Sequence, residues 1–425
     1  MTILANLLYI CGMKIAIIGA GAAGCFCASL LRQHCPNLSI DLYESGQKPL
    51  QKVAITGGGR CNLTNSFAEV KGLQHIYPRG YNLMKRLLKQ FGHQETMRWW
   101  EEHGVRLVTQ EDQCVFPQSQ DAMEIVSTLL RCMQGVSLRC GQRVTDVTPL
   151  DRESGRAYRV STESHSELYD RVVVTTGGSP KASGLDFLQP LGLEMVAPVP
   201  SLFTLNISSP ITELMGIVVE HAQTSLAGTK FKAEGPLLIT HWGMSGPAVL
   251  KLSSQAARWL AEHDYKASLN VNWMGLLKED EVRQVLQDLW AQNPKKQIAS
   301  VRPMADGQPI LTQRLWSFLL DKAEIPAERR CAELGNKQLN KLTAILTNDI
   351  YPVSGQSRFK EEFVTCGGVA LTNIDSNTLE CHQYKGLYLA GEVLDVDAVT
   401  GGFNLQAAWS MGHTVAISIL KEIGA

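Results

Sequence analysis

The sequence predicts an α/β protein: a Rossmann-like domain assembled from both ends of the chain and split by an inserted β-barrel-like and then helical block. Three observations predict it. An apolar run, KIAII (Lys14 to Ile18), leads into Gly19-Ala20-Gly21-Ala22-Ala23-Gly24 and a small-residue helix, CFCASLLRQH. The character of the chain changes after about Pro190, with a break at Pro198-Val-Pro200. Strands with glycine loops then return late, as RFKEEFVTCGGVAL from Arg358 and LYLAGEVL from Leu387. A βαβ opening, an interruption and a return of the same element type read as one split parallel-sheet domain.

Each element follows from its pattern. Lys14 to Ile18 and Ser39 to Tyr43 are buried strands, the second ending at Glu44. Residues 83–103 read as one helix with Leu83, Leu87, Leu88 and Phe91 on a face, and Asp121 to Met133 as another. Val136 to Val147 reads as a strand paired near Tyr158 to Val160, and Arg171 to Thr175 as a short buried strand. LFTLNI, GIVVEHAQTSL, PLLITHW and ASLNVNW are short strands of the insert, and a polar helical stretch follows. The expected boundaries are an irrelevant extension at 1–12, a first nucleotide-binding part at 13–191, an insert at 192–349 (β-rich 200–273, helical 277–346) and a second part at 350–425.

Composition narrows the function. A chain of 425 residues with 44% hydrophobic content can build two or three cores. The formal net charge of -1 supplies no electrostatic footprint for nucleic acid, which is not expected as the main partner. Eleven cysteines are scattered without a CxxC, so metal is not expected and reduced cysteines in the cytoplasm are. No run of about eighteen apolar residues suggests a membrane span. MTILANLLYICG lacks a basic start, and Met13 is the expected native beginning.

The first glycine loop fits G-x-G-x-x-G between a strand and a helix, with an acid twenty residues on. Gly19 permits the tight turn, Gly21 close approach of a pyrophosphate, and Gly24 helix-strand packing. The amides of the helix start, at Ala22 and Ala23, face the phosphates. Glu44 accepts from ribose hydroxyls. Ser45 follows it, and no arginine is there to welcome a 2′-phosphate. Thr176-Gly177-Gly178 ends a strand of the same domain, and Val144 offers a backbone group to adenine.

This fingerprint serves the ADP half that NAD and FAD share. The segment GLYLAGEVLDVDAVTGGFNLQAAWSMG, from Gly386, favours FAD. It supplies Gly391 and Glu392 at a strand end for ribityl or phosphate contacts. It also supplies a helix start, at Gly401, Gly402, Phe403, Asn404 and Leu405, whose dipole suits charge on a reduced flavin.

KIAIIGAGAAG, ITGGGRCNLTN, THWGMSGPAVL, CGGVAL and LYLAGEVLDVDAVTGGFNLQAAWSMG together resemble the aminoacetone oxidase/BaiN-type (YhiN-like) family of FAD-binding flavoproteins, in matching order from Met13. The resemblance implies a glutathione-reductase-type FAD domain with a β-barrel-like and helical insert, and noncovalent FAD. Members are associated with oxidation of small amines and with reductive bile-acid steps. Two positions depart from the family: Gln113-Cys114, where Gly-Arg precedes Val-Phe-Pro, and Cys366, where alanine is usual.

Several groups are candidates for chemistry. Gly58, Gly59, Arg60, Cys61, Asn62 and Asn65 form a loop able to collar FAD, with Arg60 as its charged contact and Lys52 upstream as a pyrophosphate neutraliser. Cys61 is either a thiolate lowered by Arg60 and a helix start, or a bystander. His241, near Trp242 and Ser245, is either a proton carrier or a structural residue beside a Ser245 N-cap. Asp395 and Asp397 either bind a cationic substrate or shape their loop. The expected activity is hydride transfer between a small organic substrate and flavin, with O2 or a transiently bound NAD(P)H as the other electron partner. The alternatives are a flavin-dependent RNA-modifying enzyme, which would use a basic face from Lys295, Lys296, Arg302, Arg329, Arg330, Lys337 and Lys341, and a non-enzymatic redox sensor. Substrate and oligomeric state are not legible.

Overall fold

The structure is a computed structural model that describes residues 12–150, 157–179, 181–357 and 364–424. The chain divides into two compact units, Met1–Pro200 with Val364–Ala425, and Ser201–Phe363. In the first unit β1 (Lys14–Ile18), α1 (Ala22–His34) and β2 (Ser39–Tyr43) make the βαβ opening. Then come α2 (Gln51–Gly59), β3 (Thr64–Asn65), α3 (Tyr81–Leu87), α4 (His93–Glu102), β4 (Leu107–Thr109), β5 (Cys114–Pro117) and α5 (Ala122–Cys132). β6 (Ser137–Arg139), β7 (Val144–Pro149), β8 (Tyr158–Thr162), β9 (Ser166–Tyr169), β10 (Arg171–Val174), a 3-10 segment (Ala182–Leu191) and β11 (Met195–Ser201) complete this half.

The second unit contains β12 (Leu205–Ile207), β13 (Val218–Leu226), β14 (Lys232–Ile239), β15 (Gly243–Ser245), α6 (Pro247–Gln255), α7 (Ala257–Glu262), β16 (Ala267–Asn272) and α8 (Glu279–Gln292). It ends with β17 (Met304–Ala305), β18 (Gln308–Pro309), α9 (Gln313–Lys322), α10 (Asn336–Thr347) and β19 (Asp349–Gln356). The chain returns to the first unit with β20 (Val364–Val369), β21 (Leu387–Leu389) and α11 (Phe403–Ile423).

The first unit is built on a parallel sheet of order β21-β10-β1-β2-β6. Its central strands, KIAII and RVVV, are apolar and buried after their first residues, as strands covered on both faces are. Strand order reverses at β1, the place where open parallel sheets bind ligands beyond their carboxyl ends. The antiparallel sheet β7-β8-β9 belongs to the same unit. α1 and α11 cross closely: a Cβ on Gly412 would lie 2.7 Å from the Ala23 carbonyl oxygen. The second unit is a closed barrel, β12-β15-β14-β13-β16-β19, with its own core, which includes Trp273, Trp316 and Tyr351.

Four expectations change. The helix expected over 83–103 is two, α3 and α4, because Gly92 caps a new start where a Cβ would press on the Leu88 carbonyl at 2.6 Å. The strand expected from Val136 to Val147 is β6 and β7 with a turn between them, where Gly141 takes φ 69°. Ser245 is not the N-cap of α6; Gly246 is, at φ 85°, and Ser245 Oγ instead pairs with Thr204 Oγ1 at 2.8 Å. The insert runs from Ser201 to Phe363 rather than 192–349, because β19 pairs with β12 and β16 to close the barrel. The extension at 1–12, but for Gly12, and the Arg358 to Phe363 part of RFKEEF lie outside the described residues.

Candidate functional site

The first glycine loop has the geometry that its spacing predicts. Gly19 sits at φ 108°, and a Cβ there would stand 2.4 Å from the Thr175 carbonyl oxygen. A Cβ on Gly24 would stand 2.1 Å from the Gly19 oxygen, so α1 packs on the strand ends only with glycine there. At Gly21, the N-cap of α1, a substituent would meet nothing within 4 Å. That open side lies beside the first amides of α1, at Ala22 and Ala23, which have no intrahelical acceptor. An anion fits there.

Glu44 follows β2, and backbone contacts fix its carboxylate. Oε2 accepts from Ala20 N (3.1 Å), and Oε1 from Gly46 N (2.7 Å) and Ser45 Oγ (3.4 Å). Beside it is a cavity of about 210 Å³ lined by Gly19, Glu44, Ser45, Val144, Thr176, Gly177 and Gly178. These residues come from four chain segments, and the sequence pattern assigned all of them to one nucleotide. Gln142, Arg143, Ser179, Leu185 and Phe187 line it too, without having been marked by any motif.

The two glycine segments expected to surround the flavin are brought together. α2 loses helical geometry at Thr56 (φ -60°, ψ 148°), and Gly57, Gly58 and Gly59 follow at φ 58°, 69° and 81°. Substituents on Gly58 and Gly59 would meet nothing within 4 Å. The loop then locks onto the start of α11. The Asn62 amide, oriented to satisfy both neighbours, accepts from Gly402 N (3.2 Å) and donates to Thr64 O (3.0 Å). Asn65 Nδ2 donates to Gly401 O (3.2 Å), Thr64 Oγ1 to Gln406 Oε1 (2.5 Å), and Trp409 Nε1 to Leu63 O (3.0 Å). Asn404 clamps Ala398 through both its amide atoms at 2.9 Å, and Phe403 is buried against Phe67. Phe403 is therefore a core residue, Leu405 is half-buried, and the backbone amides of the first turn of α11 are the available donors.

Glu392 joins this region to the ADP end. Its Oε1 accepts from Thr365 N (2.5 Å) and would stand 2.4 Å from a Cβ on Gly178. Lys52, largely exposed, is 3.8 Å from Glu392 Oε2. Gly391, at φ 81°, lies so close to α1 that a Cβ would be 3.2 Å from that of Ala23. Asp397 is buried and ion-paired with Arg79, which makes it a loop-shaping carboxylate rather than a free one.

The remaining candidates separate clearly. Arg60 is exposed, stacks on Phe116 (4.6 Å) and donates to Gly57 O (3.1 Å). Cys61 is fully buried at φ 60°, and burial pushes its thiol up to about 12, which favours the bystander over the thiolate. Gln113 takes φ 65°, a left-handed conformation that glycine adopts without strain, and Ser66 Oγ bonds to its side chain at 2.6 Å. Cys366 is buried in β20. His241 and Trp242 are exposed at the turn between β14 and β15, with ring centroids 4.3 Å apart.

An open anion cradle at Gly21, a carboxylate fixed at the edge of a cavity of about 210 Å³ and a glycine collar at a second helix start fit FAD. The comparisons agree. The chain is 26% identical over 412 residues to the 3-dehydro-bile acid delta(4,6)-reductase of Clostridium scindens, covering 94% of this chain and 97% of that protein. It is 28% identical over 417 residues to the ribosomal RNA dihydrouridine synthase of Haemophilus influenzae, covering 96% and 98%. In fold it is similar to a 3-ketosteroid delta1-dehydrogenase from Sterolibacterium denitrificans, with TM-score 0.50, 11% identity, and 96% and 99% coverage. No helix among the described residues is long and apolar enough to cross a membrane. Residues 13–418 match the HI0933-like protein Rossmann domain, and the chain belongs to that family of FAD-dependent oxidoreductases.

Proposed function

We propose that this enzyme holds FAD noncovalently and reduces a carbon-carbon double bond activated by a neighbouring carbonyl, with NAD(P)H as the electron source. Overall the substrate gains a hydride and a proton while NAD(P)H becomes NAD(P)+. Bound FAD supplies the two-electron chemistry. The protein's part is to hold and orient it. Gly21 and the α1 amides take the pyrophosphate, Glu44 the ribose, and the Gly57–Asn65 loop with the α11 start the ring end. The observation that carries the reading is the locking of that loop to Gly401 and Gly402, which fixes a helix N-terminus beside an open glycine cradle. The reductive direction is supported by the curated relatives, whose names are those of a reductase and a dihydrouridine synthase.

The test begins with a visible spectrum and an acid-release assay for flavin. Anaerobic stopped-flow mixing with NADH and NADPH should bleach the flavin band. Absence of flavin with no rebinding sinks the cofactor assignment. Failure of both nicotinamides, with small amines bleaching the band and peroxide forming in air, makes the enzyme an oxidase instead.

A second reading, RNA as the substrate-bearing molecule, is favoured by one feature of the barrel unit. Backbone pairing between residues 294–298 and 329–332, through Ile298 N to Arg329 O (2.9 Å) and Cys331 N to Lys296 O (3.0 Å), gathers basic residues that the sequence keeps apart. Lys295, Lys296 and Arg330 are exposed there, as is Lys337 on α10. Near them is a groove of about 480 Å³ lined by Trp290, Leu334, Asn336 and Leu339. Arg302 and Lys341 are engaged elsewhere, with Leu311 O (3.0 Å) and Glu324 (2.7 Å). Replacing Lys295, Lys296 and Arg330 with glutamine should weaken binding of a ribosomal RNA fragment and flatten its dependence on salt. Equal binding and slope in the variant remove this reading.

A further inference from the structure

The wall of the cavity beside Glu44 includes a buried side-chain oxygen that the fold leaves without a partner. Gln142 lines it, and its Oε1 is buried without a hydrogen-bond partner. The position is not accidental in its backbone: Gln142 N donates to Glu44 O (2.9 Å), and Gly141 N donates to Gly46 O (2.8 Å). The side chain therefore belongs to a turn stapled to the strand end that carries the ribose acid. An unpartnered buried amide oxygen has lost its water without gaining the hydrogen bond that would offset that loss.

Glu44 alone cannot meet the needs of an adenosine. Its Oε1 already takes two donors and its Oε2 one. A carboxylate oxygen offers about two lone pairs, which leaves little beyond one free site. Adenosine brings donors at the exocyclic amine and at the 2′ and 3′ hydroxyls. Ser45 is engaged with Glu44, and Val144 contributes no side-chain polar atom.

We infer that Gln142 is a cofactor-binding residue that hydrogen-bonds the adenosine half of FAD and so selects FAD over FMN. The inference rests on the FAD assignment. It gives the orphaned amide a partner only in the loaded protein. Removing the amide should then have opposite effects on the two states. The apoprotein loses an unsatisfied buried group and is not destabilised, whereas FAD loses a hydrogen bond. A purely structural glutamine would lower apoprotein stability and leave FAD affinity to follow.

The test uses the full chain stripped of flavin, with Gln142→Leu and, as a second variant of matching length, Gln142→Met. Flavin fluorescence titration should show FAD bound about ten-fold more weakly than in wild type, with FMN affinity unchanged and the apoprotein melting temperature equal or higher. Competition by ADP, inosine diphosphate, 2′-deoxy-ADP and 3′-deoxy-ADP identifies the donor. In wild type at least one of the three analogues should bind more weakly than ADP; in the variant the penalty for the group that Gln142 contacts should vanish, while any ribose penalty set by Glu44 remains. Unchanged FAD affinity, an equal loss for FMN, or a variant in which every analogue penalty equals that of wild type would each overturn the inference. A wild-type protein that binds no FAD at all refutes the cofactor assignment instead.

Discussion

Gly402→Ala is the sharpest test of the collar. Gly402 lies at φ 86°, and its Cβ would stand 2.3 Å from Thr64 O, 2.5 Å from Thr64 C and 2.7 Å from the side-chain amide of Asn62. Reaching even the 3.0 Å that real Cβ atoms respect requires a shift of at least 0.7 Å (3.0 minus 2.3). β3 cannot supply it freely, since Leu63 N is bound to Val115 O (2.9 Å) and Leu63 O to Trp409 Nε1 (3.0 Å). The start of α11 must move instead, away from Asn62 and Asn65. The left-handed backbone costs about 1–2 kcal/mol. Two weakened hydrogen bonds add about 1–3 kcal/mol. Together these make roughly 2–5 kcal/mol, or a fall of roughly 4–10 °C in the melting temperature of the apoprotein. FAD affinity should fall by at least about ten-fold, because the helix start leaves its place. Gly228→Ala is the control: it has φ 74° with nothing within 4 Å, so it bears the backbone term alone. If Gly402→Ala matches Gly228→Ala in melting temperature and keeps wild-type FAD affinity, the two segments are not locked and the collar is wrong.

Three further outcomes are expected. Cys61→Ser should keep its flavin and its reduction rate, and iodoacetamide at pH 8 should label the half-buried Cys132 and Cys140 before Cys61, whose thiol is held protonated by burial up to about 12; lost turnover with flavin bound would restore a redox role. Arg79→Met should cost about 3–5 kcal/mol in thermal unfolding, because it withdraws the guanidinium from the buried Asp397 carboxylate; a shift under about 1 °C would show the pair to be ornamental. Burial, aided by His34 and Lys421, pulls the His413 imidazole down to about 4. A base lowered on folding contributes fully above about pH 6.5 and loses that contribution as pH falls toward 4, at most about 3 kcal/mol. Melting temperatures between pH 7.5 and 4.5 should therefore fall more steeply in wild type than in His413→Gln, and parallel slopes would refute the assignment.

The geometry of the first glycine loop was legible because its residues act through backbone and spacing. Gly19, Gly21 and Gly24 have distinct jobs that fix their intervals, and Glu44 follows at the next strand end. The family-specific strings carried the flavin half, since nothing local says that Asn62 and Gly402, 340 residues apart (402 minus 62), share a hydrogen bond. Gln142, Phe187 and Ser179 were not legible, because a cavity wall made of single residues from separate turns leaves no period and no motif. The barrel's far edge was misplaced for a related reason: DIYPVSGQ alternates as any strand does, and only its partners β12 and β16 assign it to the insert.

Cys61 shows how the fold reverses a reading that composition invites. Beside an arginine and three glycines, a cysteine has the sequence environment of a reactive thiolate. Two features remove that chemistry. Arg60 turns its guanidinium onto Phe116 and back to Gly57 O. The left-handed conformation of Cys61, with its amide bound to Thr56 O (3.0 Å), places it at the closure of the glycine turn. A small, apolar side chain suits a buried corner at which the chain reverses toward Asn62, and cysteine behaves as one when its thiol stays protonated. The glycines before it keep their outer face free of side chains, and Asn62 after it takes the helix start. The residue that looks most chemical in this loop is therefore the one that shapes it, and the groups left to meet a cofactor are the backbone amides on either side.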